Sequence, residues 1–291
     1  MRIAVTGNHG QVVTALRERA GDNEIISLGR PHLDLADHRS VGAAITASRP
    51  DIVVSAAAYT AVDKAESDAD LAFAINRDGA GAVASVAARL GLPVVHLSTD
   101  YVFDGAKPSP YVETDATGPT GIYGASKLAG EDAVAHANPD YAILRTAWVY
   151  SPFGNNFVKT MLRLAGDRDL VSVVDDQRGN PTSAFDIADA ILGVCANLLA
   201  SKDPGLRGVF HMTGSGEASW ADFAEAIFAE SERRGGPFAQ VRRIGTKDYP
   251  TPAKRPANSR LDCGKLAAVH NVRLPDWHLS LSQTVGMLIG T

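Results

Sequence analysis

A parallel α/β fold, a doubly wound sheet followed by a smaller C-terminal α/β lobe, is the architecture predicted by this 291-residue chain. Short apolar runs alternate with helical patterns, the signature of β-α-β units whose sheet is buried on both faces. A glycine-bearing turn, Thr6-Gly7-Asn8-His9-Gly10-Gln11, follows the first apolar run and opens the first helical one. Past about Trp148 the texture shifts to more Pro, Gly, Asn and Arg. Residues 1–147 are therefore expected to form the doubly wound domain and 148–291 mainly the second lobe, with segments near 170–195 free to return to the first.

The apolar runs place strands at Arg2–Val5, Glu24–Leu28, Ile52–Ser55, Pro93–Leu97 and Ala142–Arg145. Between them lie stretches with helical spacing, Gln11–Ala20, Ser40–Ser48, Asp70–Leu90 and Tyr123–Ala137. A helix between successive strands is the crossover that parallel pairing requires. Val171–Val174 and Val209–His211 read as later strands, either returning to the sheet or forming the core of the second lobe. A helix is expected near Trp220–Arg233. Pro250-Thr251-Pro252 through Pro256 is an irregular loop, since each proline lacks a donor and restricts its predecessor. In such a fold the ligand crevice lies at the carboxyl ends of the strands.

Composition narrows the function classes. Hydrophobic residues at 45% and charged ones at 21% are ordinary for a globular enzyme. A net charge of −5 without a long basic run argues against a nucleic-acid partner. Cys195 and Cys263 fall in no metal-ligand spacing. The N-terminal apolar run stops too early for a signal peptide, and no run of about 18 apolar residues is present to span a membrane. A cytoplasmic location with no membrane partner is the expectation.

The glycine turn, Gly7 through Gly10 with Gln11 and Val12 opening the helix, suits a Rossmann-type site. Its glycines let backbone amides approach a pyrophosphate at a helix N-terminus. The spacing is G-x-x-G, and Val13 stands where a third glycine would aid close helix–strand packing. The second strand ends at Leu28-Gly29-Arg30 with no adjacent acid. An arginine there accommodates a 2′-phosphate, which points to NADPH over NADH; the alternative is a solvated loop arginine. Asp34-Leu35 is placed to bracket the adenine. Ala56-Ala57-Ala58 are small enough for a cofactor to lie against the backbone.

The chemistry resides in Tyr123-Gly124-Ala125-Ser126-Lys127 and Ser98-Thr99-Asp100. A tyrosine and a lysine four apart on a helix share one face. An ammonium beside a phenol lowers a reference pKa of about 10, suiting the tyrosine to exchange a proton with a carbonyl or alcohol oxygen. Ser98-Thr99-Asp100 ends a buried strand, so its hydroxyls emerge at the ligand edge, where one can hold a reacting oxygen. His96, inside that strand, reads as a packed core residue.

These segments, with Ala56–Glu66, Ser98–Gly105, Tyr123–Glu131, Arg145–Tyr150, Gly154–Phe157 and Arg255–Ser259, resemble the extended short-chain dehydrogenases/reductases, and among them the dTDP-4-dehydrorhamnose reductases. The resemblance runs almost end to end and implies hydride transfer from NADPH, with NADH as a second donor, to C4 of a 4-keto-6-deoxy sugar on thymidine diphosphate. It implies that Tyr123 protonates the C4 oxygen, Thr99 hydrogen-bonds it, and Lys127 holds the nicotinamide ribose. Gly7, His9, Gly10, Gln11, Val12, Arg30, Asp34, Leu35, Ala57, Ala58, Tyr59 and Thr60 would surround the cofactor. Asp100, Tyr101, Trp148 and Asn156 would meet the sugar. Arg255 would meet the diphosphate or form a surface ion pair, and interdomain packing is the other reading of Trp148. Some members are dimers bridged by magnesium through glutamates. The corresponding positions here, Ala15, Phe185 and one near Met287, offer no ligand. The implied states are a monomer or a metal-independent dimer. The competing readings are another nucleotide-sugar reductase or epimerase, and a non-catalytic regulatory subunit of the same fold.

Overall fold

The computed structural model describes residues 1–290. Eight strands organise it: β1 (Arg2–Thr6), β2 (Glu24–Leu28), β3 (Ile52–Ser55), β4 (Val94–Thr99), β5 (Tyr141–Thr146), β6 (Leu170–Val174), β7 (Gly208–His211) and β8 (Gln240–Ile244). Six of them form one parallel sheet in the order β7-β5-β4-β3-β1-β2. The order reverses between β1 and β3, so a crevice opens there, where the glycine turn and Ala56–Ala58 leave the sheet. Thr6 Oγ1 ties the two strand ends by accepting from the amides of Ala56 and Ala57 at 3.0 and 2.9 Å.

Alternation along the strands supplies both faces of the sheet. Val54 and Val95 join a core with Val13 and Leu16 of helix Gln11–Glu18 and with Ile187 and Ile191 of helix Ala184–Ala200. Val53 and Val94 face Val41, Ile45 and Val83 on helices His38–Ser48 and Ala80–Arg89. Val13, in place of the third glycine, is buried in the first of these cores.

The two later strands part company. Val209–His211 lies in β7 and extends the main sheet beside β5, whereas Val171–Val174 lies in β6 and pairs with β8 away from it. Around β6 and β8, helices Phe157–Ala165, Trp220–Arg233 and Trp277–Ile289 enclose a separate core that includes Met161, Phe223, Ile227 and Leu281. The chain therefore crosses between the two cores more than once. The expected helix Asp70–Leu90 is interrupted: a π-helical turn, Ala74–Gly79, separates Ala69–Phe73 from Ala80–Arg89. The extra residue in that turn serves Asn76, whose side chain accepts from the Tyr59 amide at 2.8 Å and donates to the Tyr59 carbonyl at 3.1 Å. Among the described residues no helix is long and apolar enough to cross a membrane.

Candidate active site

The carboxyl end of β4 delivers Ser98, Thr99 and Asp100 in succession, all buried. Thr99 Oγ1 donates to Asp100 Oδ1 at 2.9 Å and accepts from the Tyr101 amide at 3.2 Å, which caps a short 3-10 turn. Helix Ile122–Ala137 descends onto this strand end at Gly124, where a Cβ would lie 2.2 Å from the Tyr101 carbonyl oxygen. Only a glycine permits that approach, and it brings Tyr123 into the cleft that Thr99 also lines. The Tyr101 ring meets Tyr123 edge-on, with centroids 5.5 Å apart. One turn on, Lys127 donates to the Leu97 carbonyl at 2.6 Å, with His96 Nε2 3.4 Å away.

Burial dominates the electrostatics here. It pushes Tyr123 up to about 12, eased by the nearby Thr99 hydroxyl. It pulls Lys127 down to about 8, opposed by the carboxylate of Glu131. It raises Asp100 to about 6 against its hydrogen bond from Thr99, and Asp100 Oδ2 has no hydrogen-bond partner. The expectation that Lys127 draws the phenol downward is not met. Its ammonium is held at a backbone carbonyl, and desolvation of the phenolate is the larger effect. Burial thus favours the protonated phenol of Tyr123.

Thr99, Asp100, Tyr101, Tyr123 and Lys127 line a cleft of about 550 Å³ together with His9, Gly10, Gln11, Val12, Thr60 and Trp148. A second cleft of about 340 Å³ holds Gly7, Arg30, Asp34, Leu35 and Ala57, and shares His9 and Ala58 with the first. The two form one trough across the glycine turn. Gly7 sits at φ +104°, a conformation open to glycine, and helix Gln11–Glu18 begins at Gly10 with no side-chain cap. Its first amides are left for an anion. These features fit a dinucleotide.

Two sequence-derived candidates, Tyr59 and Asn156, lie off both clefts, and two, Arg30 and Arg255, are engaged in ion pairs. Arg30 forms a fork with Asp34, at 2.7 and 3.2 Å, so the two residues assigned to the 2′-phosphate and the adenine hold each other. This pairing raises the arginine and lowers the carboxyl pKa. Tyr59 lines neither cleft: its backbone is held by Asn76 and its hydroxyl donates to Asp68 at 3.1 Å. Asn156 also lies off the cleft. Its carbonyl oxygen caps helix Phe157–Ala165, and its amide donates to Gln11 Oε1 at 3.0 Å and to the Ser151 carbonyl at 2.8 Å. Arg255 grips Asp63 at 2.8 and 3.2 Å, and borders a different cavity.

That cavity, about 890 Å³, was not anticipated. Phe157, Trp220 and Tyr249 line it alongside four arginines, Arg163, Arg168, Arg242 and Arg255. These arginines are scattered through the C-terminal half of the sequence, with no motif to mark them. Trp148, which lines the catalytic cleft, has φ +47° and stacks on Trp220, with centroids 3.6 Å apart and planes 8° from parallel. The indole pair is the wall between the cleft and the cavity. Gly154 and Asn155, rather than Asn156, complete the cleft rim.

The model of the RmlD substrate binding domain family matches residues 1–288. A dTDP-4-dehydrorhamnose reductase of Sinorhizobium fredii is 56% identical over 290 residues, covering 99% of this chain and 98% of the relative. A solved dTDP-4-dehydrorhamnose reductase from Clostridium acetobutylicum is 38% identical, with a TM-score of 0.91 and 99% of each chain covered. Another, from Bacillus anthracis and in complex with NADP, is 35% identical with a TM-score of 0.90, covering 97% of this chain and 98% of that one. With the glycine trough, the Thr99–Tyr123–Lys127 cleft and these likenesses in place, the chain belongs to the dTDP-4-dehydrorhamnose reductase family.

Proposed function

We propose that this chain reduces the C4 keto group of dTDP-4-dehydro-6-deoxy-L-mannose with NADPH, giving dTDP-L-rhamnose. The observation that carries this reading is the meeting of Thr99, Tyr123 and Lys127 in a cleft continuous with the glycine trough. NADPH supplies the hydride when bound. The uncapped amides after Gly10 take its pyrophosphate, Arg30 its 2′-phosphate, and Asp34 and Leu35 flank the adenine, with NADH as the weaker donor. Ala57, Ala58 and Thr60 present a small-residue wall beside it. Lys127 has three N–H donors and uses one on Leu97, so others remain for ribose hydroxyls.

At the sugar, the Thr99 hydroxyl holds the C4 oxygen and Tyr123 delivers its proton there as the C–H bond forms. The resulting phenolate regains a proton from solvent. Asp100, Tyr101 and Trp148 line the sugar, and the arginine-rich cavity behind the Trp148–Trp220 wall receives the thymidine diphosphate. No step requires a metal, and the protein acts as a monomer or a metal-independent dimer. We place the reaction in the cytoplasm, because NADPH and a nucleotide diphosphate sugar are too highly charged to cross a bilayer unaided.

The test is NADPH oxidation with freshly generated 4-keto substrate, with the product identified by NMR. One NADPH consumed per dTDP-L-rhamnose formed is the expected result. Conversion without net NADPH consumption would make the protein an epimerase, and no turnover at all would make it a binding subunit. Either outcome overturns the reading.

A further inference from the structure

A buried ionic cluster lies directly beneath the reacting groups. Glu131 and Arg145 are joined by two hydrogen bonds, Nε to Oε1 at 2.9 Å and Nη2 to Oε2 at 2.6 Å, with side chains about 5% exposed. Glu131 Oε1 also accepts from Ser98 Oγ at 2.5 Å. We propose that Glu131, anchored by Arg145, is a positioning residue that sets the end of β4 in register with the catalytic helix and so holds Thr99 and Lys127 in place around Tyr123.

The register carries the argument. Tyr123, Lys127 and Glu131 are spaced by four and occupy one stripe of their helix. Two consecutive residues of β4 bond to this stripe, Leu97 through its carbonyl to Lys127 and Ser98 through its hydroxyl to Glu131, and the next residue, Thr99, lines the same cleft as Tyr123. Glu131 thus pins the residue that lies between Leu97, which holds Lys127, and Thr99. Arg145 is the β5 residue directly opposite Ser98 in the sheet. The anchor therefore comes from the neighbouring strand, and the face of Phe103 lies 5.1 Å from its guanidinium. A buried ion pair is weak evidence of stability on its own; its location at the join of strand and helix is what assigns it a role.

The same carboxylate faces Lys127 from one helical turn away. The other groups around Lys127 are His96 on β4, kept neutral by burial, and the Tyr123 phenol; Arg145 reaches the cluster from β5. Glu131 is the group whose charge favours the ammonium.

This inference rests on the roles proposed for Thr99, Tyr123 and Lys127, so Tyr123→Phe is the control. The experiment measures kcat, KM and the pH dependence of kcat/KM for Glu131→Gln, Glu131→Asp and Ser98→Ala, with a thermal melt of each. Glu131→Gln is expected to lower kcat about a hundredfold, the scale of a misplacement of about 1 Å. It should also move the alkaline limb of the profile down by about one pH unit. Glu131→Asp should return the limb to its wild-type position while recovering only part of the rate. Ser98→Ala leaves the ion pair whole and should lower kcat about tenfold with KM and the melt unchanged; it decides the matter if Glu131→Gln fails to fold. Wild-type kcat in Ser98→Ala, or an unshifted limb in a folded Glu131→Gln, would overturn the positioning role. A fully active Tyr123→Phe would overturn the underlying reading instead.

Discussion

Lys127 donates to the Leu97 carbonyl at 2.6 Å, not to the phenol of Tyr123 one turn before it. The lysine is therefore braced against the strand, and with burial pulling it down to about 8 it loses its charge within the range an assay can cover. Because the depressed group works as the ammonium, activity is present below that value and falls as pH rises through it. The kcat/KM profile for reduction should show an alkaline limb near 8. Asp100, raised to about 6, should add an acid limb that is absent from Asp100→Asn. A flat profile from pH 6 to 9 with chemistry rate-limiting would remove Lys127 from the reaction.

Tyr123 is the proposed proton donor, and burial favours its protonated phenol. Tyr123→Phe keeps the ring and its edge contact with Tyr101 but removes the proton. Turnover should fall by about two to four orders of magnitude, the usual weight of general-acid help. NADPH affinity, measured by fluorescence titration, should stay close to wild type. Retention of more than about a third of the turnover would assign the proton to another group.

The pairing of Arg30 with Asp34 predicts a cofactor effect in two directions. A 2′-phosphate must share or displace the Asp34 carboxylate to reach the guanidinium. Arg30→Ala should weaken NADPH binding about tenfold, the scale of a charge-assisted contact, and leave NADH nearly unchanged. Asp34→Asn frees the arginine and should improve the NADPH-to-NADH ratio. Equal losses for both cofactors in Arg30→Ala would show the arginine to be a structural partner of the loop.

Much of this was legible because the determinants are local. Buried parallel strands read as contiguous apolar runs, so β1, β2, β3, β4 and β5 stand out within two residues of their ends. Thr99, Tyr123 and Lys127 sit in short motifs at the ends of those elements. What resisted reading depends on distant partners. The π turn at Ala74–Gly79 exists because Asn76 serves Tyr59, 17 residues back, and the Ser126 hydroxyl, 50 residues on. Arg255 finds Asp63 across 192 residues. Helix Ala184–Ala200 is apolar around much of its circumference, and a wholly apolar run lacks the one-sided stripe that marks a helix. The pKa of Tyr123 is set by desolvation, which no spacing of residues reveals.

Trp148 is held in the left-handed region by its stack on Trp220, a conformation that a bulky residue keeps only under constraint. Trp220→Leu should release it. Aromatic stacking of this kind is worth about 0.5–1.5 kcal/mol beyond buried area, so KM for the nucleotide sugar should rise by roughly three- to tenfold. NADPH affinity should change little, because the cleft that holds Arg30 and Asp34 lies on the other side of the glycine turn. A rise in both constants together would mean that the lobe has loosened as a whole.

Magnesium should prove dispensable for both activity and assembly. The family resemblance implies that metal-bridged members carry glutamates at the positions of Ala15 and Phe185. Ala15 is fully buried in the core. The Phe185 ring meets Phe153 edge-on at 5.4 Å and lies 4.9 Å from the guanidinium of Arg19. A hard dication needs oxygen ligands; the side chains at these two positions supply a methyl group and a ring, and the nearby Asp189 carboxylate is paired with Arg19 at 3.7 Å. After EDTA treatment the protein should retain its solution mass and its rate of NADPH oxidation, with no gain on adding magnesium. A mass or rate that fell on stripping and recovered with magnesium would reveal an ion held by other carboxylates.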